Sequence, residues 1–176
     1  MKNRILLGTG NAGKIKEMRF YLKHFNIFQT FETLTPSDFK HLSEPIEDGT
    51  TFEANAKLKS NFFYGATNLL SLSDDSGLMI DKLNGYPGIK TARVAKDLGG
   101  EQKVIDYIFS KFKNETHLKA TFHCSIALIG DDKKLICSGK VKGSIIPANR
   151  GNSGFGYDPF FIPENNSNTF AEMKIQ

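Results

Sequence analysis

The sequence predicts an α/β fold whose sheet is partly antiparallel. Residues 4–7 form an apolar strand pattern, which a glycine-rich turn connects to a helical pattern, as is typical of α/β proteins. Two later β-rich segments, residues 119–129 and 134–141, are joined by Gly130-Asp131-Asp132-Lys133. Such a short polar connection is a hairpin signal and requires antiparallel strands. The sheet is therefore expected to be mixed.

In the first half of the chain, residues 14–22 show a helical apolar pattern, and residues 27–31 predict a second strand. Thr50-Thr51-Phe52-Glu53 fits a capping box that opens a second helix. That helix would deliver the chain to a short buried strand at residues 69–72. The side chains that share one face are Ile15, Met18 and Leu22 in the first helix and Phe52, Ala56, Lys59 and Phe63 in the second.

The second half predicts a short strand at residues 78–81 and a rigid turn at Gly85-Tyr86-Pro87-Gly88. Residues 101–112 then form a helix, the hairpin follows, and residues 149–159 form a loop rich in Gly and Asn. The helix has its core side chains at helical spacing: Val104, Ile105, Ile108, Phe109 and Phe112.

The composition is that of one globular domain. The 176 residues are 39% hydrophobic and 24% charged, and no apolar run is long enough to span a bilayer. Residues 8–11 interrupt the apolar N-terminus before the core of a signal peptide could form, so we expect a cytoplasmic protein. A net charge of +4 without a long run of like charges suits a small anionic substrate better than a nucleic-acid polymer, and we expect no membrane partner.

The two cysteines show no sign of a zinc site or a redox motif. Cys124 and Cys137 lack the C-x-x-C spacing, and no histidine lies at zinc-ligand distance from them in the sequence. We therefore expect both to be reduced and buried.

Ser73-Asp74-Asp75-Ser76-Gly77 is the candidate catalytic stretch. It follows the predicted strand at residues 69–72, so its acids are expected to leave the sheet at the strand's end, where open α/β sheets bind ligands. Two vicinal carboxylates suit a divalent cation and a general base. An Asx-type turn capped by Asp and Gly, without catalytic function, also explains the same residues. The stretch alone leaves both interpretations open.

Gly8-Thr9-Gly10-Asn11-Ala12-Gly13-Lys14 is a candidate phosphate-binding loop, because a strand, a glycine turn and a helix N-terminus present N–H groups to an anion. It matches the dinucleotide pattern G-x-G-x-x-G, with Glu32 as the ribose acid, but that fold needs further parallel units. It also matches G-x-x-x-x-G-K, but Ile15 replaces the hydroxyl residue that holds magnesium. A third interpretation keeps the lysine and amides as a phosphate clamp and takes metal ligands from Asp75 and Glu44-Pro45-Ile46-Glu47-Asp48-Gly49. A plain structural turn is the fourth.

Four motifs occur in a characteristic order along nearly the whole chain. They are Thr9-Gly10-Asn11-Ala12-Gly13-Lys14; Glu47-Asp48-Gly49-Thr50-Thr51-Phe52, leading to Asn55, Ala56 and Lys59; Asp74-Asp75-Ser76-Gly77-Leu78, with Gly85-Tyr86-Pro87-Gly88 and Ala92-Arg93; and Gly154-Phe155-Gly156-Tyr157-Asp158-Pro159-Phe160-Phe161. In this combination the sequence resembles the Ham1/RdgB-type inosine triphosphate pyrophosphatases.

The resemblance implies a two-lobed α/β fold around a long mixed sheet flanked by helices. It implies a homodimer that hydrolyses non-standard purine nucleoside triphosphates (ITP, dITP and XTP) to the nucleoside monophosphate and pyrophosphate, with Mg²⁺ as cofactor. Family members continue past Ala171-Glu172-Met173 with a lysine and a Ser-His-Arg stretch, whereas this sequence ends in Lys174-Ile175-Gln176. We therefore expect residues 1–176 to form a single domain of this fold without the family's C-terminal segment.

The resemblance also implies roles for individual residues. Glu47 and Asp75 would hold the metal, and Asp75 would accept the proton of the attacking water, with Asp74 in a supporting position. Phe155 would stack on the purine. The substrate-binding residues would be Thr9, Gly10, Asn11, Ala12, Gly13, Lys14, Lys59, Ser76, Phe155, Gly156, Tyr157 and Asp158.

Three other functions fit parts of this pattern. A Maf-like pyrophosphatase would act on other modified nucleotides. A non-catalytic nucleotide-binding protein would keep the phosphate loop and Phe155 without activating water. A small dehydrogenase would bind a nicotinamide dinucleotide at the glycine-rich loop.

Overall fold

A computed structural model describes residues 3–26 and 31–173 of the chain. The strands are β1 (Asn3–Leu7), β2 (Phe31–Leu34), β3 (Leu70–Ile80), β4 (Leu118–Ile129), β5 (Lys134–Ile145) and β6 (Phe161–Pro163). The α-helices are α1 (Ala12–His24), α2 (Phe52–Thr67), α3 (Thr91–Leu98) and α4 (Glu101–Lys111). No helix of the described residues is long and apolar enough to cross a membrane.

The strands form one mixed sheet in the order β2-β1-β3-β4-β5-β6. β1 is parallel to both β2 and β3, and residues 5–7 of β1 lie beside residues 70–72 of β3. β5 and β6 are antiparallel. The backbone amide of Gly130 donates to the Lys133 carbonyl over 2.9 Å and closes the predicted hairpin between β4 and β5. The predicted fold class, an α/β fold around a partly antiparallel sheet with flanking helices, is confirmed.

Backbone contacts divide the chain into two compact units. The first comprises Met1–Asp75 and Cys124–Ser138, and the second comprises Ser76–His123 and Gly139–Gln176. The phosphate loop, α2 and both acids of the candidate catalytic stretch belong to the first unit.

The core of the first unit forms where α2 packs on the sheet. The predicted face of α2 is confirmed, because Phe52, Ala56, Lys59 and Phe63 are all buried. A Cβ atom at Gly8 would overlap the Phe63 ring, so the chain can leave β1 for the loop only through glycine at this position. In α1, Leu22 is buried as expected, whereas Ile15 and Met18 are half-buried.

The core of the second unit is an apolar cluster supplied by α3, α4, β3, β4, β5 and the chain around β6. The predicted inner face of α4 is confirmed. Val104, Ile105 and Ile108 are fully inaccessible, Phe109 is buried, and Phe112 packs against the cluster. The turn at residues 85–88 is present, with Gly85 and Gly88 at positive φ and a cis Tyr86–Pro87 bond.

One prediction about the candidate catalytic stretch is wrong. Residues 69–72 and 78–81 are not two short strands separated by a turn, because β3 runs without interruption from Leu70 to Ile80. The two acids therefore lie inside a strand and not beyond its end. Serine, aspartate and glycine disfavour strands, but here Asp74 and Asp75 find partners in α1 and α2, and that tertiary environment overrides local preference.

Other details also differ from expectation. Thr51, not Thr50, caps α2, and its hydroxyl accepts from the Ala54 amide over 3.0 Å. Cys137 is exposed and Cys124 is half-buried, so the prediction that both are buried is wrong. The predicted strand at residues 27–31 falls mostly on residues 27–30, which lie outside the described residues, and β2 begins at Phe31. No pattern in the sequence predicted α3 or β6.

Candidate active site

β3 presents its two acids to opposite faces of the sheet. Successive side chains of a strand point in opposite directions, so neighbouring acids cannot share one environment. Asp74 meets Lys14 of α1, whereas Asp75 meets Asn55 of α2. Both acids are nearly inaccessible, with 4% and 5% of their surface exposed. Burial of a carboxylate costs free energy unless hydrogen-bond or ionic partners satisfy it, so two buried acids at this point of the strand are unusual.

Asp75 lies in a polar cluster that the N-terminal half of α2 positions. The Asn55 side-chain amide donates to Asp75 Oδ2 over 3.0 Å, and Asn55 Oδ1 accepts from the Gly49 amide over 2.8 Å. One turn further along the same helical face, Lys59 Nζ lies 2.7 Å from Glu47 Oε1. A Cβ at Gly49 would press against Asn55 Oδ1, so this approach of loop to helix requires glycine.

The electrostatic environment of Asp75 favours its protonated form relative to an ordinary aspartate. Burial raises the pKa of the Asp75 carboxyl most strongly, and the nearby Glu47 carboxylate raises it further. The hydrogen bond from Asn55 and the charges of Lys59 and Lys14 act in the opposite direction without cancelling the effect of burial. A carboxylate with a raised pKa is a better proton acceptor, which suits a general base.

On the other face, Lys14 and Asp74 form a largely buried ion pair with 2.8 Å between Lys14 Nζ and Asp74 Oδ2. Burial alone would lower the pKa of Lys14, but the charge and hydrogen bond of Asp74 outweigh it and raise that pKa. Lys14 is therefore held as a cation beside the loop. Asp74 Oδ1 is buried without a hydrogen-bond partner among the described residues.

Six backbone amides of the loop have acceptors within the protein, those of Gly8, Thr9, Gly10, Asn11, Gly13 and Lys14. Asn11 is the N-cap of α1, and its side-chain oxygen accepts from the amides of Gly13 and Lys14. The buried Thr9 hydroxyl accepts from the Asn11 amide over 3.1 Å. The Gly10 amide donates to the carboxylate of Glu44. The expected clamp is therefore a structured helix start whose donors must exchange partners to bind phosphate.

The donor set around Asp75 fits a magnesium ion that is shared with substrate. Residues 3–26 and 31–173 contain no group of three or more acidic, histidine or cysteine side chains placed to hold a metal. Glu47 and Asp75 are two carboxylates that both interact with Lys59. Mg²⁺ is commonly held by one or two carboxylates, with water and substrate phosphates completing its shell. Two hard oxygen donors are thus sufficient for that mode of binding.

In the second unit, the predicted substrate-binding residues 155–158 form a tight loop before β6. Asp158 Oδ2 accepts from the Phe155 amide over 2.8 Å, and burial raises the pKa of the Asp158 carboxyl. Gly154 has φ +75°, and a Cβ there would overlap Asp158 Oδ2. Tyr157 belongs to the apolar core of the unit, and its buried hydroxyl has no hydrogen-bond partner among the described residues. Asp158 thus shapes the loop that carries Phe155.

The structure brings together several of the predicted residues. Glu47, Lys59 and Asp75 form one cluster, and Thr9, Gly10, Asn11, Ala12, Gly13 and Lys14 form the loop and start of α1. Ser76 is half-buried in β3. Sequence reasoning assigned no role to Asn55 and did not identify Asp74 as the partner of Lys14. It offered Glu44 only as part of an acidic segment that could supply metal ligands, whereas the structure places Glu44 on the Gly10 amide. The spacing of Asn55 four residues before Lys59 on α2 was a signal that could have revealed the role of Asn55.

Comparison with known proteins gives consistent relationships. The sequence model of the Ham1 family matches residues 5–176. The chain is 40% identical over 169 residues to a dITP/XTP pyrophosphatase of Vibrio parahaemolyticus, covering 93% of this chain and 82% of the relative. It is 38% identical over 178 aligned positions to a dITP/XTP pyrophosphatase of Lactobacillus acidophilus, covering 98% and 87%.

Solved structures agree with these sequence matches. The Ham1 protein of Staphylococcus aureus superimposes with a TM-score of 0.81 at 34% identity, covering 98% of this chain and 87% of that one. A HAM1 protein of Coxiella burnetii gives a TM-score of 0.79 at 32% identity, covering 99% and 88%. Both structural matches cover almost the whole chain, including the segments that carry Lys14, Lys59 and Asp75.

Proposed function

The chain belongs to the Ham1 family, and we propose that it hydrolyses non-standard purine nucleoside triphosphates (ITP, dITP and XTP) to the nucleoside monophosphate and pyrophosphate. Relatives at 36–40% identity over more than four-fifths of their length carry the name dITP/XTP pyrophosphatase. The single structural observation that supports the proposal most is the buried Asp75, bonded to Asn55 and flanked by Lys59 and Glu47. An acid that can orient water, a lysine, and a second acid that can help hold a metal suit the hydrolysis of a phosphoanhydride.

Asp75 is proposed as the general base. Its raised pKa gives the carboxylate a higher affinity for the proton of an attacking water than an exposed aspartate would have. Asn55 holds Oδ2 by a hydrogen bond and so fixes the orientation of the carboxylate. Hydrolysis of an anhydride depends mainly on positioning and charge neutralisation, so a rigid acid in a buried cluster is well suited to orient water.

The two lysines are proposed to neutralise the phosphates. Lys14 is kept charged by Asp74, and Lys59 is kept near Asp75 by Glu47. Each lysine has a carboxylate partner, so binding of a triphosphate would exchange one anionic partner for another. This exchange reduces the net cost of desolvating the lysines.

Glu47 and Asp75 are proposed to hold Mg²⁺, the metal that we infer for this enzyme. When bound, Mg²⁺ supplies positive charge to the phosphate oxygens and lowers the pKa of water. In the second unit, Phe155 is proposed to stack on the purine, with Gly156, Tyr157 and Asp158 supporting its loop, and Ser76 to contact the substrate. The half-buried position of Phe155, held through its amide by Asp158, is compatible with that role.

Two further properties belong to the proposal. We infer a homodimer, for which exposed apolar side chains such as Leu135 and Ile136 on β5 provide a surface. We also infer a cytoplasmic location, where the nucleotide pool is found.

The test is product identification with a substrate panel. The protein is incubated with Mg²⁺ and with ITP, XTP, dITP, ATP or GTP, and products are separated by ion-exchange chromatography. We expect monophosphate and pyrophosphate from the first three at rates well above those from ATP and GTP. Diphosphate with orthophosphate would contradict the reaction. Tight nucleotide binding without pyrophosphate release would indicate a non-catalytic binding protein, and preference for modified pyrimidine nucleotides would indicate a Maf-like specificity.

A further inference from the structure

Glu44 places a carboxylate on the backbone of the phosphate loop. It lies 34 residues after Gly10 in the chain and accepts the hydrogen bond of the Gly10 amide through Oε1. A Cβ built at Gly10 would lie 3.2 Å from Glu44 Oε1 and 3.6 Å from its Cδ. The carboxylate therefore lies directly against the loop, where a larger residue at position 10 would crowd it. Glu44 is itself exposed to solvent.

The Gly10 amide differs from its neighbours in the kind of acceptor it has. The amides of Gly8 and Thr9 donate to backbone carbonyls, and those of Gly13 and Lys14 donate to the neutral side chain of Asn11. Only neutral oxygens are involved in those four bonds. Gly10 donates instead to an anion, beside the positive end of α1 and the charged Lys14.

A carboxylate oxygen and a phosphate oxygen can both accept a hydrogen bond from the Gly10 amide in the same way. Both are anionic acceptors that form short, charge-assisted hydrogen bonds with backbone N–H groups, and both are favoured near a helix N-terminus. The bound Glu44 carboxylate is thus direct evidence, within this structure, that an anion is accommodated at Gly10. It also means that Glu44 and a phosphate oxygen would compete for the same Gly10 amide.

We infer that Glu44 is an internal competitor for the phosphate loop, which the triphosphate of the substrate must displace from the Gly10 amide. The inference rests on the proposed function, because it assigns the loop to the phosphates of that substrate. Glu44 then lowers the affinity of the loop for every phosphate anion, because the hydrogen bond between Glu44 and the Gly10 amide must break before the anion binds.

This role predicts an effect on binding and not on the chemical step. The bond between Glu44 and Gly10 breaks before hydrolysis begins, so its removal changes the interaction of ground state and transition state equally. Loss of Glu44 should therefore lower KM and leave kcat nearly unchanged. Because Glu44 is exposed and makes one bond to the loop, its loss should leave the fold intact.

The experiment uses Glu44→Ala, Glu44→Gln and the matched control Glu32→Ala. Glu32 is an exposed carboxylate on β2, so its substitution removes the same charge without opening the Gly10 amide. Binding of inorganic tripolyphosphate to the full chain without metal is measured by isothermal titration calorimetry. We expect about fivefold tighter binding for Glu44→Ala, which corresponds to about 1 kcal/mol. Glu44→Gln, which keeps a weaker acceptor, should be intermediate, and Glu32→Ala should stay within about twofold of the wild type.

Steady-state kinetics with ITP and Mg²⁺ complete the test. We expect KM to fall by about the same factor in Glu44→Ala, with kcat within about twofold of the wild type. Unchanged or weaker tripolyphosphate binding in Glu44→Ala would overturn the inference, and so would equal tightening in Glu32→Ala, since that would show a general charge effect. If the wild type fails to hydrolyse ITP, the proposed function fails, while the calorimetric comparison still decides whether Glu44 competes for the loop.

Discussion

The Asn55 side-chain amide donates to Asp75 Oδ2 over 3.0 Å and accepts from the Gly49 amide over 2.8 Å. One side chain thereby connects the proposed general base to the segment that precedes α2. Loss of the first bond would remove a partner that orients the buried Asp75 carboxylate, and loss of the second would remove the contact that holds Asn55 itself. Asn55 is therefore a positioning residue for Asp75, although it is not itself proposed to take part in proton transfer.

Asn55→Ala is expected to lower kcat for ITP by about 10- to 100-fold, the usual range for residues that orient a catalytic group. KM should change much less, because the phosphate loop is not altered. Asn61→Ala, at an exposed position of the same helix, is the control for loss of an asparagine from α2. Equal losses of kcat in both variants would show that Asn55 acts only through helix stability.

The buried pair of Lys14 and Asp74 predicts strong energetic coupling. Asp74→Asn leaves Lys14 without its carboxylate, and we expect the free energy of unfolding to fall by about 2 kcal/mol, less than for a fully buried pair because Lys14 retains some exposure. Lys14→Met in the same background should cost much less than it does in the wild type. Urea unfolding of the four proteins gives the coupling energy. Additive losses would show that the two charges do not depend on each other.

The two cysteines are expected to react at very different rates. Burial, reinforced by the charge of Asp74, raises the pKa of the Cys124 thiol to about 11 from an ordinary value of 9.0. At pH 7.5 its thiolate fraction is therefore about a hundredfold smaller than that of an ordinary thiol, and it rises as pH increases. Cys137 is exposed.

Iodoacetamide at pH 7.5 should thus modify Cys137 well before Cys124, as followed by peptide mass spectrometry, and the two rates should become similar in urea. Cys137→Ser provides the control, since its remaining thiol reports Cys124 alone. Rapid modification of Cys124 in that folded variant would show that partial burial and the charge of Asp74 do not suppress its thiolate.

Gly154 is expected to be essential for the loop that carries Phe155. Its φ of +75° is unfavourable for other residues, and a Cβ would overlap Asp158 Oδ2. Gly154→Ala should lower the free energy of unfolding by about 1–3 kcal/mol and raise KM for ITP. Gly139→Ala is the matched control, because no atom lies within 4 Å of a Cβ there and its φ is not positive. The account of this loop fails if both variants have the same stability and the same KM.

Much of the fold was predictable, because the spacing of apolar residues along the sequence indicates which elements form and which of their faces are buried. The faces of α2 and α4 and the hairpin of β4 and β5 follow directly from residue spacing and turn residues. The continuous strand β3 could not be predicted in this way. The stretch from Ser73 to Gly77 has the local composition of a turn, and it forms a strand because of contacts with segments that are distant in the sequence. The sequence also suggested two acids with different roles, but not that pleating sends Asp74 to Lys14 and Asp75 to Asn55.

The motifs of the candidate site could be predicted from the sequence, but the contacts between their side chains could not. The resemblance named Glu47, Lys59 and Asp75, and the structure brings those three together. The contact between Glu44 and Gly10 joins residues far apart in sequence, and no local pattern indicates which acid of that segment meets the loop. Such pairings are decided by the path of the chain after β2.

The role of Asp75 as general base is tested by comparing wild-type protein with Asp75→Asn and with the control Asp81→Asn, which changes an exposed acid just beyond β3. Pyrophosphate release from ITP with Mg²⁺ and binding of ITP are measured for each, after the melting temperature has verified folding. We predict at least about a hundredfold loss of pyrophosphate release in Asp75→Asn, with nucleotide binding still measurable, and near-normal activity in Asp81→Asn. Pyrophosphate release by Asp75→Asn at close to the wild-type rate would contradict the assignment of Asp75 as the base.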